Sequence, residues 1–115
     1  MTLKVNQPAL DFAMHLIEAG EYAINTQWSI NEPSPEQASR YLDTHGANDL
    51  GKWYLAVDPD ADSTQTRYLF PHGDFKRVHY SGVTAAKRRA EKDNDAEIVR
   101  AADELLDLLD RLNAC

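Results

Sequence analysis

The closing stretch of this chain places Ile98, Ala101, Ala102, Leu105, Leu109 and Leu112 on one broad apolar face, with Asp103, Asp107 and Asp110 opposite. Asn94-Asp95-Ala96-Glu97 begins this helix, which is expected to run nearly to Ala114. A helix divided in this way is stable only where a second layer covers its apolar side, so the rest of the chain must supply that layer. With 115 residues in all, the chain can bury about two-thirds of its unfolded surface, enough for one core and too little for two domains. Residues 1–115 therefore read as a single domain. A 43% hydrophobic content is too high for a disordered chain, and no apolar run approaches the roughly 18 residues of a membrane span. Residues 1–8 lack the basic and apolar regions of a secretory signal, and the expected location is cytoplasmic, away from membranes. Cys115 is the sole cysteine, which excludes an internal disulfide framework and a thiolate metal cluster.

Partners for the last helix can be read along the chain. Leu10, Ala13, Met14 and Ile17 recur at helical spacing over 8–20, with Phe12 and Leu16 widening the stripe and Gly20 as a stop. Residues 21–33 have no clear period, although Tyr22, Ile24, Trp28 and Ile30 alternate as a short strand or extended loop would. Ser34-Pro35-Glu36-Gln37 combines an N-cap serine, a proline at the first helical position and a glutamine at the third, and Gly46 can close the helix, which predicts a helix over 35–45. Residues 52–57 are aromatic and suited to a strand. Two β-rich runs, 66–70 and 75–80, flank Pro71-His72-Gly73-Asp74 and predict a hairpin, and Ser81 is placed to cap a helix through about Lys92. The expected architecture is α+β, about four helices packed with a small antiparallel hairpin and a third strand over 53–57. An all-helical bundle with an irregular middle is the alternative.

Charge is distributed in blocks. The net charge is -7, yet residues 66–92 carry seven bases against Asp74 and Glu91, between two acidic flanks. On a helix over 83–92, Val83, Ala86 and Ala90 share one face while Arg88, Arg89 and Lys92 point away from it; Lys76 and Arg77 extend the positive segment. With Tyr68, Phe70 and Tyr80 nearby, these are ingredients of a nucleic-acid surface, guanidinium for phosphate and aromatic faces for stacking. The acidic excess of the whole chain disfavours that use, and Asp103, Glu104 and Asp107 are placed to neutralise the segment.

Gly51-Lys52-Trp53-Tyr54, Asp58-Pro59-Asp60, Arg67-Tyr68-Leu69-Phe70-Pro71-His72-Gly73-Asp74, Val78-His79 and Ala85-Ala86-Lys87-Arg88-Arg89-Ala90 form a pattern over residues 51–112. It resembles a module of phage and prophage head-related proteins and of short bacterial proteins. The resemblance transfers no catalytic residue; it implies an accessory or binding role of phage or prophage origin.

Chemistry-bearing constellations are sparse. Asp58, Asp60 and Asp62 match the first ligand positions of a calcium loop, but Ser63 replaces the turn glycine and Leu69 the closing glutamate, so an Asp-rich turn is the better reading. His72, Asp74 and His79 lie near the predicted hairpin and could form an acid–base pair or a metal site; a turn histidine, an Asx-turn aspartate and a cross-strand pair of His79 with Tyr68 account for the same residues. Ser81-Gly82 lacks the pattern of a nucleophile elbow, and Cys115 at a terminus lacks a rigid setting. Trp28, Trp53 and Tyr54 read as core, with Trp53 joining a binding surface if exposed. The expectation is a non-enzymatic interaction protein with a protein partner and no cofactor or metal, engaging it through Lys76, Arg77, Arg88, Arg89, Lys92 and Trp53. Nucleic-acid binding through 76–92 is the runner-up, and an enzyme with a hairpin His/Asp pair the third reading.

Overall fold

A computed structural model describes residues 3–113, with Gln65 described in its backbone only; Ala114 and Cys115 lie outside the described residues. The fold is α+β. In chain order it comprises β1 (Lys4–Val5), α1 (Gln7–Glu18), β2 (Tyr22–Ala23), α2 (Trp28–Asn31), α3 (Pro35–His45), α4 (Ala47–Gly51), β3 (Tyr54–Val57), α5 (Thr64–Arg67), β4 (Tyr68–Pro71), β5 (Val78–His79), α6 (Tyr80–Lys92) and α7 (Ala96–Asn113). Among the described residues, four helices reach eleven residues or more: α1, α3, α6 and α7. They are the four helices that periodicity and capping signals predict. No helix among the described residues is long and apolar enough to cross a membrane.

The apolar face of α7 is covered as its pattern requires. Ile98, Ala101, Ala102, Leu105 and Leu109 are buried in one core with Leu10, Ala13 and Ile17 of α1, Leu55 and Ala56 of β3, Phe70 of β4 and Val83, Ala86 and Ala90 of α6. The small alanines of α6 and α7 let these two helices approach closely along their length. Leu112, one turn beyond Leu109, is exposed, because the core ends before the helix does.

The sheet differs from the predicted hairpin. β3 is the central strand of the order β1-β3-β4, antiparallel to both neighbours, with Ala56 opposite Leu69 and Val57 opposite Tyr68. The run 75–80 does not pair with 66–70; β5 instead pairs in parallel with β2, Tyr22 opposite Val78. The reversal sits later than Pro71 suggests. Asp74 Oδ1 accepts the backbone N–H groups of Lys76 and Arg77 at 3.1 and 2.9 Å, an Asx turn that makes 75–77 the loop itself. What remains of a ladder among the described residues is the Gly73–Val78 bridge, flanked by the His79 N–H bond to the His72 carbonyl and the Asp74 N–H bond to the Arg77 carbonyl. α6 begins at Tyr80 with no side-chain cap, and Ser81 Oγ lies 3.3 Å from Thr26 Oγ1 rather than capping the helix.

Around α3 the local reading and the structure coincide. Ser34 Oγ accepts the Gln37 N–H and Gln37 Oε1 accepts the Ser34 N–H, a reciprocal box that satisfies two donors at the helix start.

Candidate functional site

A recess lies between α3 and the β3–β4 pair. It encloses about 370 Å³, at the lower end of the range of ligand pockets. Tyr41 anchors α3 by stacking on Phe75 at 4.5 Å and accepting the Trp53 indole N–H at 3.3 Å. That contact turns Ala38 and Leu42 toward the recess, where Leu50, Leu69, Phe70 and Pro71 complete an apolar wall. No residue of α3 is fully buried. Its apolar stripe is thus only half covered by the chain's own core, unlike those of α6 and α7.

Polar groups converge at the same place. Tyr54 and Tyr68, on neighbouring strands, tilt toward each other with ring centroids 6.4 Å apart. Burial, with the Glu32 carboxylate adding to it, pushes the Tyr54 phenol up to about 12, so its O–H remains a neutral donor at physiological pH. Glu32 and Arg89 face each other at 3.6 Å on the rim, both substantially exposed. Phe70 on the wall holds φ at 62°, a left-handed conformation that costs a bulky residue about 1–3 kcal/mol and that concentrates at binding surfaces.

The basic segment divides. Lys87 is bound to Asp103 of α7 at 2.7 Å and Arg89 to Glu32 at 3.6 Å. Of the α7 carboxylates expected to neutralise the segment, Asp103 forms this ion pair and Asp107 adds a weaker attraction to Lys87. Arg88 and Lys92 are exposed at the end of α6, and among the described residues neither forms an ion pair; Lys76 and Arg77 are likewise exposed. These two pairs stand at opposite ends of α6: the eight residues from Tyr80 to Arg88 alone span about 12 Å. Positions 76–92 therefore form two separate clusters. Trp53, expected in the binding set if exposed, is 3% exposed. Its ring is packed edge-on by Phe12 and Phe75 and tilted against His72, which removes it from any contact surface. Tyr68 and Phe70, expected beside the arginines as stacking faces, line the recess.

His72 and His79 lie in the interior. His72 is fully buried, its Nε2 2.9 Å from the Lys52 carbonyl, and burial pulls it down to about 4 against the support of backbone hydrogen bonds. It is a neutral core residue rather than the expected turn histidine, because the turn begins at Asp74. His79 Nε2 lies 3.0 Å from Asp74 Oδ2, off the line of a hydrogen bond, while Nδ1 meets Thr26 Oγ1 at 2.8 Å. Its aromatic neighbour is Trp28, at 6.0 Å, and the expected pairing with Tyr68 is absent because Tyr68 faces Val57. Burial opposes the Asp74 charge, but the N–H groups of Arg77 and Lys76 and the His79 ring outweigh it and hold the carboxyl below its usual range. Asp74 opens instead onto a shallow recess with Tyr41, Arg40 and Lys76. The cluster thus ties the 24–27 segment and the 73–78 turn to the core. Asp58 is likewise internal to its own turn, its Oδ1 accepting the Asp60 N–H at 3.0 Å, and no group of three or more metal-ligating side chains converges among the described residues.

Sequence reading missed Glu32, Leu42, Tyr54 and Tyr68 as neighbours of one recess. The signal available was the α3 stripe itself, whose Ala38 and Leu42 lacked an assigned partner. No family model, curated protein or solved structure matches the chain, so its function is argued from its own geometry.

Proposed function

We propose that the protein is a non-enzymatic accessory or interaction protein of the cytoplasm, binding a protein partner through the recess between α3 and the β3–β4 pair. The observation that supports this is the half-covered apolar side of α3, facing a strained Phe70 and two tyrosines across about 370 Å³. Aromatic anchors in a concave apolar site with a polar rim are the composition of interface hot spots. The phage-type resemblance over 51–112 favours the same accessory role, in a bacterial or prophage setting. Leu42→Arg fills the recess while leaving the α7 core untouched. Selection from a library of displayed protein fragments should yield binders retained by the unaltered protein and lost with Leu42→Arg at unchanged helicity. Binders indifferent to that substitution would move the interface elsewhere.

Nucleic-acid binding is the second reading, supported by the exposed Arg88 and Lys92. Their separation from Lys76 and Arg77 leaves two weak clusters on an acidic molecule, which makes a phosphate-tracking surface the poorer fit.

A further inference from the structure

Resting on the recess as the binding surface, we infer that its occupant is the free C-terminal residue of the partner chain, an apolar side chain between Leu42 and Phe70 with its terminal carboxylate at Arg89. The size of the recess is the first reason. About 370 Å³ accommodates a terminal residue and part of its neighbour, not a long segment. The second reason is the edge of β4, which forms one wall. An extended internal segment laid along that wall would pair its backbone N–H and C=O groups by adding a strand to the sheet, and the half-covered recess is too small for a helical one. Phe70 at φ 62° breaks the alternation of that edge and Pro71 has no N–H to offer. A chain end avoids this requirement because its last group is a carboxylate, which needs a cation and a donor.

Both are present. Arg89 is the cation lining the recess, and its existing partner holds it loosely: the Glu32 contact is 3.6 Å and half-exposed, the kind of surface pair worth little. The guanidinium can therefore turn to a second carboxylate with a shorter, two-point contact. Tyr54, which lines the same recess as Arg89, offers an O–H for the remaining oxygen. Glu32 opposes the incoming charge, and this opposition makes the sign of two substitutions diagnostic.

The test uses arrayed acetylated peptides of randomised sequence ending in Leu, Ile, Val or Phe, each made as the free acid and as the amide. Free acids should bind the full chain at least about tenfold more tightly than their amides, the factor expected from one charge-assisted hydrogen-bonded pair. Glu32→Gln should tighten the free acids, and Arg89→Gln should weaken them and abolish the preference over the amides. Both positions are exposed or half-exposed, and circular dichroism verifies the fold. Equal binding of acid and amide in a Leu42-dependent manner would overturn the C-terminal assignment and leave the interaction surface standing. Tighter binding of free acids by Arg89→Gln, or no binding of either series, would also overturn the assignment, whereas the fragment selection tests the recess by itself.

Discussion

His72 shows how one buried side chain sets a pH response. Its value falls from 6.5 to about 4 in the folded protein, so between those limits the unfolded chain binds a proton that the folded chain does not. Stability from this residue is complete above about pH 6.5 and is lost as pH falls toward 4, a change of about 3 kcal/mol for the whole window. Urea unfolding at pH 7 and pH 4.5 should show a larger loss for the unaltered protein than for His72→Gln; equal losses would mean that the imidazole is protonated in place without cost. Asp74 acts at lower pH, since its depressed carboxyl loses its contribution only as pH falls below its ordinary 3.8. Gly73 illustrates a steric constraint in the same turn. A Cβ there would meet the Arg77 carbonyl and the Trp53 ring inside contact distance, and neither can withdraw, one being backbone and the other core. Gly73→Ala should cost about 1–3 kcal/mol, measurable as a lower midpoint in the same titration.

At the scale of elements, α3 and α7 are stabilised by different means. α3 buries no residue completely, and its start depends on the Ser34–Gln37 box. Ser34→Ala should reduce stability by about 0.5–2 kcal/mol and fray residues 35–38 first, read by amide hydrogen exchange. α7 depends on its core face. Leu105 is wholly buried, and Leu105→Ala should cost about 2–5 kcal/mol; an unchanged melting temperature would contradict the packing of α7 against α1 and α6. The strands were less legible than these helices. A two-residue strand such as β2 or β5 has too few side chains for a period to emerge, and its pairing is settled by what packs nearby. Pro71-His72-Gly73-Asp74 carried a turn signal, but the acceptor that closes the reversal is the Asp74 carboxylate, so the loop falls three residues later.

For the whole molecule, the decisive quantity is where charge ends up in space. The net charge of -7 and the division of the basic residues by α6 predict no gel-shift binding of mixed-sequence nucleic acid at physiological ionic strength, where the Debye length is about 8 Å. Salt-sensitive micromolar binding, abolished by Arg88→Ala with Arg89→Ala in a folded protein, would favour the nucleic-acid reading over the interaction surface.

The amino-acid sequence by itself determined the elements whose information is local. The 3.6-residue period of 98–109, the stripe of α1 and the capping signature at 34–37 each depend on residues within a few positions of one another. Tertiary structure alone decided that β5 joins β2, that Trp53 is enclosed, that Lys87 and Arg89 are paired while Arg88 forms no ion pair among the described residues, and that Leu42, Tyr54, Phe70 and Arg89 border one recess. These relations join positions twelve to sixty residues apart. They follow from which surfaces remain uncovered after α7 has been packed, and a single chain's local pattern does not encode that outcome.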